Sequence, residues 1–166
     1  MIRVAVVTIS DSAYAGEKKD LSGPILGARC EDLGWLLIRT AVVPDVVDQI
    51  AQELRHCADD LVSSLILTTG GTGISPRDVT PEATRAVLER EIPGMAELMR
   101  ARGTEQTKFS VLSRGIAGSR GRTLIVNLPG APKGASFSLG VIEHLIPHVI
   151  DLLAGRTAHS SDKVRE

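Results

Sequence analysis

The chain has 166 residues, a formal net charge of −1, 43% hydrophobic and 23% charged residues. That balance fits a single soluble domain with its own core and excludes a disordered chain. With 2% aromatic residues and no excess of positive charge, neither a nucleic-acid nor a membrane partner is expected.

Ile2 to Ser10 is almost continuously apolar and β-branched, the pattern of a strand covered on both faces. A polar loop from Asp11 to Ser22 leads to a predicted helix that runs from Gly23 or Pro24 to Leu33 and stops at Gly34. Trp35 to Val43 reads as a second strand, closed by Pro44-Asp45. Val46 to Cys57 carries apolar residues at helical spacing, and Asp45 stands where it could cap that helix. Leu65 to Thr69 is the third strand, and Thr80 as N-cap with Pro81 behind it opens a helix expected to reach Glu91.

Pro93-Gly94 then interrupts, and a short helix is expected over Met95 to Arg102. Phe109 to Leu112 reads as helical, and Gly115 to Gly118 as a short strand turning through Ser119-Arg120-Gly121. Thr123 to Leu128 is a clear strand, followed by Pro129-Gly130 and one long helix from Ala135 to Leu153 that ends at Gly155. The alternation predicts an α/β fold, a mostly parallel sheet with helices on both faces, in one domain over 1–156 with a polar tail over 157–166. Cys30 and Cys57 fall in separate helices without a cysteine neighbour, which reads as two reduced thiols. No signal peptide and no bilayer-spanning run is expected, so a cytoplasmic location follows.

In parallel sheets ligands bind beyond the carboxyl ends of the strands. Those ends carry Ser10-Asp11-Ser12, Pro44-Asp45, the loop Gly70-Gly71-Thr72-Gly73 leading to Asp78, and Pro129-Gly130 with Lys133. Glycines let backbone N–H groups approach an oxyanion closely, and a carboxylate beside such a loop is better suited to a cation that a phosphate shares. The loop lacks G-x-G-x-x-G spacing and a closing Gly-Lys-Ser/Thr, so neither a dinucleotide fingerprint nor a P-loop applies. A turn needed only for its shape is the plain alternative, as a helix cap or turn residue is for each of Asp45 and Asp78. Mg2+ is commonly held by one or two carboxylates plus substrate phosphates, which suits this pair. Arg77 and Lys133 are candidate cations for the phosphates, against a reading as solvated surface charges. His144 and His148 share a helical face but lack the acidic partner of a zinc motif.

The chain resembles the molybdopterin adenylyltransferase family of molybdenum-cofactor biosynthesis, bacterial proteins related to the amino-terminal domain of gephyrin. The resemblance rests on Thr8-Ile9-Ser10-Asp11 with Gly16, Asp20 and Ser22-Gly23, on Val43-Pro44-Asp45, on Thr68 to Ala83, on Ile92-Pro93-Gly94, and on Asn127-Leu128-Pro129-Gly130 with Pro132-Lys133. It implies a three-layer molybdopterin-binding fold, usually a homotrimer, that transfers AMP from ATP to the terminal phosphate of molybdopterin with Mg2+ and releases pyrophosphate. It further implies hand-over of the product to a molybdenum-insertion protein. On this basis Asp45 and Asp78 are the catalytic and metal-holding pair. Ser10, Asp11, Thr69, Gly70, Gly71, Thr72, Gly73, Ser75, Pro129, Gly130 and Lys133 are the candidate substrate and nucleotide contacts. Ala131 and Gly134 depart from the family's usual residues, and Val46 follows Asp45 where an acidic residue is frequent. A molybdopterin carrier without transfer activity and a nucleotide pyrophosphatase of the competence-damage type are the alternatives.

Overall fold

The computed structural model describes residues 1–156, so the expected polar tail lies outside the described residues. Six strands form one sheet in the order β2-β1-β3-β6-β5-β4. These are β1 (Arg3–Ile9), β2 (Leu36–Val43), β3 (Leu65–Thr69), β4 (Arg90–Glu91), β5 (Ala117–Arg120) and β6 (Thr123–Leu128). The pairs among β2, β1, β3 and β6 are parallel, and β5 pairs antiparallel with both β6 and β4. The mostly parallel α/β sheet expected from the sequence is therefore present.

Alternation along the central strands separates two cores, because successive side chains point to opposite faces. Val4, Val6, Leu65, Leu67, Leu124 and Val126 pack on one side against α2 (Ser22–Asp32), α5 (Pro93–Gly103), α6 (Pro132–Ile142) and α7 (Ile146–Leu153). Ala5, Val7, Ile66 and Ile125 pack on the other against α3 (Val47–Arg55) and the segment around α4 (Thr80–Arg85). The result is three layers. Truncating a fully buried leucine such as Leu67 would cost about 2–5 kcal/mol, enough to threaten a domain of this size.

Several element boundaries differ from the sequence reading. The loop after β1 begins with a single helical turn, α1 (Asp11–Tyr14), because the Ser10 hydroxyl accepts a hydrogen bond from the Ala13 N–H at 3.2 Å. Helix α3 passes into a π-helical turn, His56–Asp60. Helix α4 stops at Arg85 rather than Glu91, since the chain beyond it joins the sheet: the Glu89 N–H donates to the Ser119 carbonyl and the Ile92 N–H to the Ala117 carbonyl. Pro93 opens α5 rather than breaking it, the first-turn position where a missing N–H costs nothing. The long final helix is two, α6 and α7, bent by 64°. Pro147 has no N–H for the helical ladder and its ring crowds the carbonyl four residues back, so the chain turns there. Val149 and Leu153 pack partly and Ile146 and Ile150 fully into the sheet core, leaving Leu152 exposed.

Candidate functional site

Register places the four parallel strands level at their carboxyl ends: Ile9 pairs with Val43, Thr8 with Thr69, and Thr69 with Leu128. The ladder continues one step further, with the Ser10 N–H donating to the Val43 carbonyl at 3.0 Å and the Gly70 N–H to the Leu128 carbonyl at 3.2 Å. Loops leaving these ends must therefore share one rim. Two clefts open there, of about 470 Å³ and about 500 Å³. Both are walled by Gly71, Asp78 and Gly130, so the glycine loop is the partition between them.

Glycine is required at the root of that loop. Gly70 has φ +103° and a side chain there would meet the Ile9 carbonyl oxygen at 2.2 Å; Gly71 has φ +65° and would meet the Thr80 hydroxyl at 2.3 Å. Thr80 does not cap α4 with its side chain as expected. Its hydroxyl donates to the Gly70 carbonyl at 2.9 Å and its N–H to the Gly71 carbonyl at 3.1 Å, pinning loop to helix. The N–H groups of Gly71, Thr72, Gly73 and Gly130 make no hydrogen bond among the described residues. Such a set of unpaired amides is suited to phosphate oxygens.

Asp45 does not cap α3 either. Its Oδ2 accepts from the Asp11 N–H at 2.9 Å, while its own N–H donates to Asp11 Oδ1 at 2.9 Å, a reciprocal clasp between the ends of β1 and β2. Asp11 Oδ2 accepts in turn from Arg77 Nε at 2.9 Å and Nη2 at 2.6 Å. Arg77 is thereby engaged with a carboxylate. Its hydrogen bond holds the Asp11 carboxyl below the ordinary value, whereas burial pushes Asp45 upward, with the neighbouring Asp11 and Asp78 charges adding to it and the Asp11 N–H opposing. Asp78 Oδ2 accepts from the Ser75 N–H at 2.9 Å. Asp45 Oδ1 and Asp78 Oδ1 accept no hydrogen bond among the described residues.

Asp45 and Asp78 both line the 470 Å³ cleft, together with Ser10, Thr69, Gly70, Gly71 and Gly130. Thr72, Gly73 and Pro129 line the second cleft, with Ile74, Phe109 and Phe137 as its apolar walls. Asp11, Ser75 and Lys133 stand outside both linings: Asp11 shapes Asp45, Ser75 closes the turn carrying Asp78, and Lys133 is exposed beside the start of α6. Thr69 also ties two strand ends, its hydroxyl donating to the Pro129 carbonyl at 2.7 Å. Among the described residues no cluster of three or more His, Cys, Asp or Glu side chains could hold a metal. Two carboxylates, each with one unpaired oxygen, instead fit a Mg2+ that completes its shell with water and substrate phosphate.

Sequence reasoning missed three basic residues. Lys18 and Lys19 line the 470 Å³ cleft and form no ion pair among the described residues. Asp20 holds their loop by accepting from the Thr8 hydroxyl at 2.7 Å and the Gly23 N–H at 3.0 Å. The tandem lysines inside a polar loop were the available signal. Arg114, which binds the glycine loop, gave none, because its partner Gly73 lies 41 residues away and Thr72 one residue further.

The model of the family described as a probable molybdopterin binding domain matches residues 5–149. The chain belongs to this family. It is 37% identical to the molybdopterin adenylyltransferase of Helicobacter pylori over 98% of this chain and 93% of that one. It is also 44% identical to the molybdenum cofactor synthesis protein cinnamon of Drosophila melanogaster, covering 92% of this chain but spanning only 26% of that protein's length. Among solved structures, the molybdopterin biosynthesis enzyme MoaB of Thermus thermophilus superposes with a TM-score of 0.88 at 46% identity, covering 93% of this chain and 98% of that one. The resemblance and the fold expected from the sequence are thus both found.

Proposed function

We propose that this chain is a molybdopterin adenylyltransferase, transferring AMP from ATP to the terminal phosphate of molybdopterin. The observation that carries the reading is the meeting of Asp45 and Asp78, from the ends of different strands, on one cleft beside a glycine loop with unpaired amides. Near-full-length relatives named for that activity support it. A phosphate monoester oxygen attacks the α-phosphorus of ATP, a P–O bond forms, and the bond to pyrophosphate breaks. Both partners are anions, so alignment and charge neutralisation matter more than a strong base. Asp45 and Asp78 would hold Mg2+, which when bound offsets charge on the triphosphate. The Gly71, Thr72 and Gly73 amides donate to phosphate oxygens, and Lys18 and Lys19 add positive charge at the mouth.

Incubating the protein with molybdopterin, ATP and Mg2+ should yield the AMP adduct and pyrophosphate. Asp78→Asn should lower that rate by at least about a hundredfold while molybdopterin binding survives. Pterin binding without pyrophosphate release by the native chain would reduce it to a carrier.

Homotrimeric assembly and a cytoplasmic location belong to the same proposal. Exposed Ile74, Phe109 and Leu112 around the second cleft favour a covered surface, and two buried unpaired cysteines accord with a reducing compartment. Delivery of the product to a molybdenum-insertion protein is its downstream consequence.

A further inference from the structure

We propose that Arg114 is a positioning residue for Asp78, a strap that holds the glycine loop in the shape adenylyl transfer requires; the inference rests on the reading above. Arg114 follows the 3-10 turn Lys108–Leu112 and reaches across to a loop that belongs to β3 and α4. Its backbone N–H donates to the Thr72 carbonyl at 2.8 Å and its Nε to the Gly73 carbonyl at 2.7 Å. Its Nη2 donates to the Asp78 carbonyl at 2.7 Å, and its Nη1 pairs with Glu82 on α4. One residue thus grips the loop on both sides of its Ile74 to Arg77 excursion and ties it to the next helix.

The loop's other contacts do not replace this grip. The Ser75–Asp78 hydrogen bonds at 2.9 Å close a local turn within the loop and tie it to no other element. Thr80 fixes only its root, at Gly70 and Gly71. The Arg77–Asp11 pair joins an exposed guanidinium to a partly exposed carboxylate, an arrangement that solvent weakens. A planar guanidinium can serve two carbonyls and a carboxylate from one fixed fork, which a lysine ammonium cannot. Ser113, the preceding residue, lines the second cleft, so a group lodged there and the Asp78 carboxylate share one support.

The test compares Arg114→Gln and Arg114→Lys with the native protein. Amide hydrogen exchange over residues 71–80, without substrate, should be at least about tenfold faster in Arg114→Gln, with Arg114→Lys intermediate and the β3 and β6 amides unchanged. With ATP, Mg2+ and molybdopterin, kcat for the AMP adduct should fall by about a hundredfold in Arg114→Gln while the KM for ATP moves little, the signature of misplacement rather than lost binding. Unchanged loop exchange, or a loosened loop with native kcat, overturns the inference. Should Arg114→Gln fail to fold, the same two measurements on Arg114→Lys decide the matter. If the native protein makes no adduct, the adenylyltransferase reading fails, while the exchange result still decides whether Arg114 straps the loop.

Discussion

Asp45 shows how the place of a side chain can be legible in sequence while its contacts are not. Its position after a strand and before a helix reads equally as a cap, yet its Oδ2 serves the Asp11 N–H, 34 residues away. No local pattern encodes a partner at that distance, so the sequence showed the cleft position but not the clasp. Asn127 is similar. Near the end of β6 it is buried, its amide nitrogen donating to the Thr68 and Thr84 hydroxyls at 2.9 Å each, partners no local pattern signals. Gly70 was legible, because a glycine run after a buried strand signals backbone that only glycine adopts. Gly70→Ala should lower unfolding free energy by at least about 2 kcal/mol in urea titrations, from the strained φ and the overlap with Ile9 together. A loss within error of zero would mean that β1 yields readily at its end.

At the scale of elements, strands were the most legible. β3 and β6 run over the expected residues, because aliphatic, β-branched stretches covered on both faces have little alternative. Helix ends were not. The run Ala86 to Glu91 is compatible with helix, but pairing of β4 with β5 captures it, a tertiary choice that outweighs a weak local preference. The π-helical turn after α3 is fastened to the end of β5 by Arg120, whose Nη2 donates to Asp59 Oδ2 at 2.7 Å. That hydrogen bond holds the Asp59 carboxyl below its unfolded value of 3.8. The folded state therefore binds its proton less well, and the contact stabilises fully above that value and is lost as pH falls below it through the lowered folded value. Asp59→Asn should cost no more than about 1 kcal/mol near neutral pH, since the pair is partly exposed, and less near pH 3. Urea titrations at the two pH values check this, and an equal loss at both would dissociate Asp59 from any charge effect.

For the molecule as a whole, α/β layering and the rim of strand ends followed from the alternation of patterns. The division of that rim into two clefts did not, because it depends on where one loop stands. Assembly is the remaining whole-molecule property. The apolar side of α7 is largely taken up by the chain's own core, so that helix offers less free surface than its sequence implies. A trimer would then be built on other exposed apolar groups, among them Ile74, Phe109 and Leu112. Light scattering in solution should give three times the chain mass of 17.6 kDa, and a monomer at micromolar concentration would remove assembly from the proposal.

The partition formed by Gly71, Asp78 and Gly130 bears on how reactants travel. For the proposed reaction, a barrier one loop thick with an opening on each side would let two molecules enter from separate directions and meet edge to edge. Neither must vacate a shared berth before the other arrives, and no group need be parked on the polypeptide in the interval. In the proposed reaction the sheet beneath would serve as a fixed bench for direct exchange between them.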